Sequence, residues 1–480
     1  MVNTYRLTTN VESFISASAT PLGMRLEFHG AAGGVTGSHL VLDNDGFRIG
    51  IDAGLFQGGE GKRNRSGFGH DPRSLGALLL THAHIDHSGR VPLLVKQGFR
   101  GPIYSTPATF DLCDIMLKDS AHLMEEEAER ESRDGGDRFG QSSAPLYTEE
   151  DVVRAMRRFK PVEYGRRVEM GGLSVVFREA GHILGSAMPE ITQGNQKLVF
   201  SGDLGRPGAP FLCDPARVTE ADWLVLESTY GDRDHAYHAG RGKRLLEIVL
   251  DTVERGGNVV IPAFAVGRTQ EILYELNPYA EAGKLKGIKC FVDSPMAISA
   301  IEIYRRHPEC YDSETSELLK HGDDPLEFPG TEYTRSRESS KAINRVNEPH
   351  IVISANGMAT GGRILHHLAH NLERPESTIL FAGYQADGTL GRQLLSGAKT
   401  ARIMGREFDV RARVESIDEF SAHADRSEIL EWLRGFKRFP ARVFLNHGEP
   451  GATEALAQTI RQEFGADVVV AKTGESYVLE

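Results

Sequence analysis

Thr81-His82-Ala83-His84-Ile85-Asp86-His87 decides how this chain is read. It follows an apolar run at 77–81 of strand length and precedes an amphipathic stretch that begins at 91–96, so strand, polar loop and helix succeed one another. Four potential metal ligands within six residues, on a loop held by a rigid sheet, can converge on one point, as a regular helix or strand would not allow. Neutral imidazoles with a carboxylate are the donors that Zn²⁺ favours, so the cluster reads as a metal site rather than a histidine-rich surface loop.

Two shorter pieces repeat the pattern of a strand followed by a polar residue among glycines: Ala180-Gly181-His182-Ile183-Leu184-Gly185-Ser186 and Phe200-Ser201-Gly202-Asp203-Leu204-Gly205. Glycines there permit close backbone approach. Each piece alone would be a capped turn. Together with 82–87 they supply imidazoles for two ions and a carboxylate to bridge them. Further out, 25–42 and 47–52 read as strands broken by Gly-rich turns, with more strands at 173–177, 197–201 and 223–227. Beyond Tyr230 the rhythm becomes strand 259–264, helix 270–277, strand 289–293, helix 298–306, strand 351–354, helix 363–371 and strand 378–382. That alternation implies a parallel sheet covered by helices, and a domain boundary near 230. A strand at 442–446, a helix at 453–464 and a last strand at 467–471 close the chain. The charged segment 118–150 reads as a solvated helix and a mobile loop.

Composition bounds the function classes. Lys and Arg number 55 against 67 Asp and Glu, a formal charge of −12, which excludes a globally cationic coat for nucleic acid and leaves room only for a local basic cleft. No apolar stretch approaches the roughly 18 residues of a membrane helix. The first twenty-odd residues lack the cationic start and apolar centre of a secretory signal, so a cytoplasmic location without membrane association is expected. Cys113, Cys213, Cys290 and Cys310 form no C-x-x-C pair, which points away from a disulfide framework and from a cysteine zinc site.

The order HAHIDH, GH and FSGD, after an early Asp52 in Gly50-Ile51-Asp52-Ala53-Gly54, resembles the metallo-β-lactamase superfamily. Downstream, Glu227 in Leu226-Glu227-Ser228-Thr229-Tyr230-Gly231, His423 in Phe420-Ser421-Ala422-His423-Ala424-Asp425 and His447 in Asn446-His447-Gly448-Glu449 resemble motifs A, B and C of the β-CASP nucleases. Those include the cleavage and polyadenylation endonucleases and their bacterial RNA-processing relatives. The resemblance implies an α/β fold, a metallo-β-lactamase αββα sandwich with an inserted β-CASP α/β domain. Its divisions would be an N-terminal extension at 1–24, the first part of the lactamase domain at 25–229, the β-CASP domain at 230–405 and the rest of the lactamase domain at 406–480.

Carried over residue by residue, the resemblance implies that His82, His84 and His182 hold one zinc, that Asp86, His87 and His447 hold a second, and that Asp203 bridges them. Asp52 would orient the ligands. His423 would be the general acid and Glu227 would fix its tautomer. The implied activity is a zinc-dependent ribonuclease with a hydroxide shared by two Zn²⁺ per chain, cutting single-stranded RNA to leave a 3′ hydroxyl and a 5′ phosphate. Manganese in place of zinc, endonuclease or 5′-to-3′ exonuclease mode, and a homodimer all stay open. DNA-repair members generally have Val where His447 stands, so motif C points to RNA. No KH-like module precedes the catalytic region, so targeting without an appended domain is expected. Two other readings remain: a thioester or lactam-type hydrolase using the same ions, and a non-catalytic RNA-binding scaffold.

A second group of residues suits phosphate. Ser354-Ala355-Asn356-Gly357-Met358-Ala359-Thr360-Gly361-Gly362-Arg363 runs from a strand into a helix, as do Gly267-Arg268-Thr269 and the turn 383–392. Arg268, Ser354, Gly357, Gly361 and Gly362 are the candidates, since backbone N–H groups at such turns bind anions, although Gly-rich turns are common in any α/β protein. His366, His367 and His370 on the following helix read as a solvated face.

Overall fold

Successive side chains of a strand face opposite sides of its sheet, and that alternation sorts the apolar residues of the first domain into two cores. In Gln196–Phe200, Leu198 and Phe200 enter one core and Val199 another; in Trp223–Glu227, Trp223 and Val225 separate in the same way from Leu224 and Leu226. The first set meets Leu26, Phe28, Leu40, Leu42, Ile49 and Ile51 of a facing sheet. The second is covered by the helices Arg426–Arg434 and Pro450–Phe464. The facing sheet turns Val41 and Leu78 outward toward the helices Val91–Lys96 and Pro107–Arg133. The layers are therefore helix, sheet, sheet, helix.

The computed structural model describes residues 23–133, 144–235, 240–383, 385–386, 388–417 and 420–480. Most of the expected N-terminal extension (1–22), the expected mobile loop of the charged segment (134–143), and Tyr384 and Asp387 of the turn 383–392 lie outside the described residues. Among the described residues each sheet of the sandwich has seven strands. One is ordered Ser476–Leu479, Met24–Gly30, His39–Asn44, Phe47–Ile51, Leu75–Leu79, Ile103–Ser105, Phe159–Pro161. The other is ordered Asp467–Val470, Arg442–Asn446, Trp223–Glu227, Gln196–Phe200, Ala187–Gln193, Leu173–Glu179, Arg167–Met170. The C-terminal segment thus adds strands to both sheets and completes the first domain.

The inserted domain carries six parallel strands in the order Thr331–Tyr333, Lys289–Val292, His350–Ser354, Val259–Pro262, Thr378–Ala382, Arg413–Ile417. Val259 and Ile261 pack toward the helices Arg268–Glu281 and Pro295–Tyr304, and Val260 toward Ile364–Asn371. The domain is spliced between neighbouring strands: Trp223–Glu227 and Arg442–Asn446 pair in parallel, with Glu227 opposite Asn446. No helix of the described residues is long and apolar enough to cross a membrane, and all four cysteines are free thiols.

Two expectations need correction. Arg413–Ile417, placed by the sequence with the C-terminal lactamase segment, pairs with Thr378–Ala382 on the inserted sheet; its half-exposed alternation gave no sign of which sheet it joins. The face of Ile364–Asn371 is not uniformly solvated, because His367 is buried and its Nε2 lies 2.7 Å from Asp293 Oδ2. Asp293 also accepts from Arg363, Thr334 and Ser340, so the turn 355–363 is fastened to the end of strand Lys289–Val292.

Candidate metal centre

Parallel strands end on one side of their sheet, and here the ends of both sheets meet. Phe47–Ile51 and Leu75–Leu79 run in parallel with Ile51 opposite Leu79, which puts Asp52 beside the loop 81–87. On the facing sheet Gln196–Phe200, Trp223–Glu227 and Arg442–Asn446 are also parallel, so Asp203, Glu227 and His447 emerge together. His182 comes from the turn joining Leu173–Glu179 to Ala187–Gln193, and that turn is tied across the site where Ala187 N donates to Thr81 O at 2.8 Å. The loops approach closely. A Cβ on Gly54 would lie 1.5 Å from Asp86 O and one on Gly205 1.9 Å from Gly181 O, so only glycine fits at either position.

Two donor sets result. His84 Nδ1 lies 3.2 Å from His82 Nε2 and 3.1 Å from His182 Nε2. A tetrahedral site with bonds of about 2.0–2.1 Å has edges of about 3.3–3.4 Å, close to these separations. In the second set, His87 Nε2 is 3.0 Å from His447 Nε2, which is 3.6 Å from Asp86 Oδ2. Asp203 faces both sets. Its Oδ2 is 3.5 Å from His82 Nε2 and 3.6 Å from His182 Nε2, while its Oδ1 is 3.3 Å from His87 Nε2 and 3.6 Å from His447 Nδ1. That Oδ1 is buried and, among the described residues, accepts no hydrogen bond. An orphaned buried carboxylate oxygen is costly unless a cation or donor fills the gap, so these residues fit a pair of metal ions.

The electrostatics agree with that fit. Burial lowers the pKa of His84 to about 4 and those of His82 and His182 well below the ordinary imidazole value, so all three are neutral donors at neutral pH. Burial would also lower His87, but the Asp203 and Asp52 carboxylates outweigh it and raise the group. Burial would raise Asp86, yet the bond to His447 and the charge of His87 bring it to about 2. Asp203 is likewise driven down against burial, chiefly by His447, His87 and His82.

Asp52 holds the framework. Its Oδ1 accepts from Thr81 N at 2.8 Å and its Oδ2 lies 2.7 Å from His87 Nδ1, leaving His87 Nε2 turned toward Asp203. Carboxylates behind metal-binding histidines characteristically fix ring orientation in this way. At the rim, His423 Nδ1 is 3.1 Å from Glu227 Oε1 and its Nε2 is 4.0 Å from Asp203 Oδ2. Glu227 is itself fixed by Leu204 N, which donates to Oε1 at 2.6 Å. Burial would lower the His423 pKa, but the charge and hydrogen bond of Glu227, with Asp203 beyond, raise it to about 9.

The phosphate candidates fare differently. Ser354 Oγ donates to Asp293 O at 2.8 Å and the residue is buried. Arg268 is buried and donates to Glu271 Oε2 at 2.7 Å. Gly357 is buried beneath the Phe264 ring, whereas Gly361 is half-buried and Gly362 exposed. Sequence reading missed Thr229, whose Oγ1 donates to His447 O at 3.2 Å, and His235, whose Nε2 lies 3.2 Å from His423 O. Both sit in or just after motif A, and that proximity was the available signal. His235 also clusters with Asp425 and Glu428, but those carboxylates form the capping box of Arg426–Arg434 and Glu428 pairs with Arg206.

Comparison with known proteins agrees with this layout. The profile "Metallo-beta-lactamase superfamily" matches residues 32–255, "Beta-Casp domain" matches 269–394 and "Zn-dependent metallo-hydrolase RNA specificity domain" matches 407–471. Ribonuclease TTHA0252 of Thermus thermophilus is 40% identical over 452 residues, 94% of this chain and 99% of that protein. Transcription termination factor FttA is 30% identical over 441 residues in Methanosarcina mazei, covering 88% of this chain and 66% of the factor. The FttA of Pyrococcus horikoshii is 34% identical over 406 residues, covering 82% of this chain and 60% of the factor. This chain therefore spans about two thirds of those archaeal proteins. A crystal structure of a protein of unknown function from Enterococcus faecalis shares the fold, with a TM-score of 0.53 at 12% identity over 95% of this chain and all of that one.

Proposed function

The chain belongs to the β-CASP ribonuclease family of the metallo-β-lactamase superfamily, and from that membership we propose that it hydrolyses phosphodiester bonds of single-stranded RNA at a dinuclear zinc centre. His82, His84 and His182 would hold one ion and Asp86, His87 and His447 the other, with Asp203 facing both. Two ions there would supply Lewis acidity toward the phosphodiester and a water acidic enough to attack near neutral pH. The chain's own residues do the rest. Asp52 keeps His87 in its donor orientation. Below its raised pKa His423 is an imidazolium that donates Nδ1–H to Glu227 and carries a second proton on Nε2, facing the reaction. His423 gives that proton to the departing 3′ oxygen, leaving a 3′ hydroxyl and a 5′ phosphate.

One observation carries this reading: His423, tied through Nδ1 to Glu227, points Nε2 at the carboxylate shared by the two donor sets. A thioester hydrolase leaves that pair with little work, since a thiolate departs without a proton. The ribonuclease relative, matched along nearly its whole length, supports RNA as substrate. The test is RNA labelled at each end, incubated with zinc-loaded protein. A ladder marks endonuclease action and mononucleotides mark exonuclease action. Thioester turnover without RNA cleavage would favour the small-molecule hydrolase, and RNA binding with no turnover of either would favour a scaffold.

The pH dependence follows with a definite sign. Glu227 raises the His423 pKa to about 9, so the acid is intact below that pH and is lost as pH rises through it. Glu227→Gln removes the carboxylate charge and is expected to move the descending limb of the kcat–pH profile to lower pH while zinc content holds. An alkaline limb at the same pH in both proteins would detach His423 from proton donation.

A further inference from the structure

Phe264 is unusually exposed for a large aromatic. It is 44% exposed although its neighbours Ala263 and Ala265 are buried, on the turn 263–267 between strand Val259–Pro262 and helix Arg268–Glu281. A lone phenylalanine on an open surface needs no explanation, but this one stands where the two lobes meet. Ala265 and Val266 share a core with Ile183, next to His182, and with Phe420, three residues before His423. A Cβ on Gly267 would meet Ile183 Cγ2 at 3.5 Å. Three residues of chain span at most about 11 Å, so the ring is held within a few nucleotides' reach of the metal donors.

The ring has a built seat. A Cβ at Gly357 would come within 3.0 Å of Phe264 Cδ2 and 3.1 Å of Cε2, so any larger residue there would push the ring aside. Asn356 stiffens that loop by accepting from Met358 N at 3.0 Å and Thr360 N at 3.2 Å. Gln385 donates to Gly357 O at 3.1 Å. On the other side, Thr269 donates to Phe264 O from Oγ1 at 2.8 Å and from its amide at 3.2 Å. A pinned backbone thus keeps apolar surface in water that folding would ordinarily bury.

We propose that Phe264 is a platform on which one base of single-stranded RNA stacks as its phosphodiester reaches the metal centre. This deepens the ribonuclease reading and rests on it. Every base presents a π-face, so stacking on one aromatic positions a strand without reading its sequence. With Arg268 paired to Glu271 and Ser354 bonded to Asp293 O, the ring supplies a grip at this side of the cleft that the expected phosphate contacts do not.

On single-stranded oligoribonucleotides, Phe264→Ala is expected to raise KM about tenfold and change kcat less than about twofold, as loss of one base stack would, while Phe264→Trp restores KM. An abasic site walked along the oligonucleotide gives an independent readout: at one position it raises KM of the parent protein by a similar factor and adds nothing in Phe264→Ala. A melting temperature that falls little in Phe264→Ala, whose ring is 44% exposed in the parent, separates lost grip from lost fold. An unchanged KM in Phe264→Ala, or an abasic penalty equal in both proteins, overturns the platform and leaves the ribonuclease reading standing. Parent protein that hydrolyses a thioester but no RNA overturns both.

Discussion

Asp203→Asn is expected to lower bound zinc below two equivalents and to cut RNA cleavage by more than about 10⁴-fold, because the centre's Lewis acidity and water activation fail together. Asparagine keeps the shape and removes the charge. In the parent protein one carboxylate, 2% exposed, faces four imidazoles, and its Oδ1 accepts no hydrogen bond among the described residues. Without that charge two cations would meet mostly neutral nitrogens in a buried site, where unpaired charge is expensive. Elemental analysis of protein purified without chelator, alongside single-turnover cleavage, measures both effects. Two equivalents of zinc with a rate within tenfold of the parent would remove Asp203 from its bridging position.

His423→Ala is expected to lower kcat on RNA by roughly 10²–10⁴-fold, the usual contribution of a positioned general acid, with zinc content and KM little changed. The leaving group separates this role from a structural one. Bis(p-nitrophenyl) phosphate expels a phenolate that needs no proton, so its hydrolysis should fall far less in His423→Ala than RNA cleavage does. Equal losses on both substrates would mean that the ring shapes the site instead of donating a proton. His423 is held by Glu227 through Nδ1 and by His235 through its carbonyl oxygen, and supplies no atom to either donor set, so its removal should leave the donor sets as they are.

What could be read from the sequence was what lies close together along the chain. The loop 82–87 concentrates four donors on one turn, and the glycines around His182 and Asp203 marked sites of close approach that the geometry of Gly185 and Gly205 explains. The strands that deliver them were legible because their apolar alternation is strong, as at Leu198 to Phe200. Pairings between distant residues were not legible. His367 looked like one of three solvated histidines because nothing near it announces Asp293, which arrives from another strand. Arg413–Ile417 was not legible as a strand of the inserted sheet for a related reason: five residues with one buried position carry too little pattern to choose a partner. Ser354 and Arg268 have the chemistry for phosphate, and only packing shows that other groups occupy them.

The splice between Glu227 and Asn446 bears on how the molecule is made. These register neighbours are more than two hundred residues apart in the chain, so during synthesis the second sheet waits with an open seam until the whole insert has left the ribosome. His447 lies just past that seam. A nascent chain therefore displays the imidazoles of His82, His84, His87 and His182 well before the last donor exists, and contacts of such high sequence separation form slowly. Filling of the donor set that contains His447 should accordingly be a late event in biogenesis, completed only when the final strand slots in beside the one that preceded the insert.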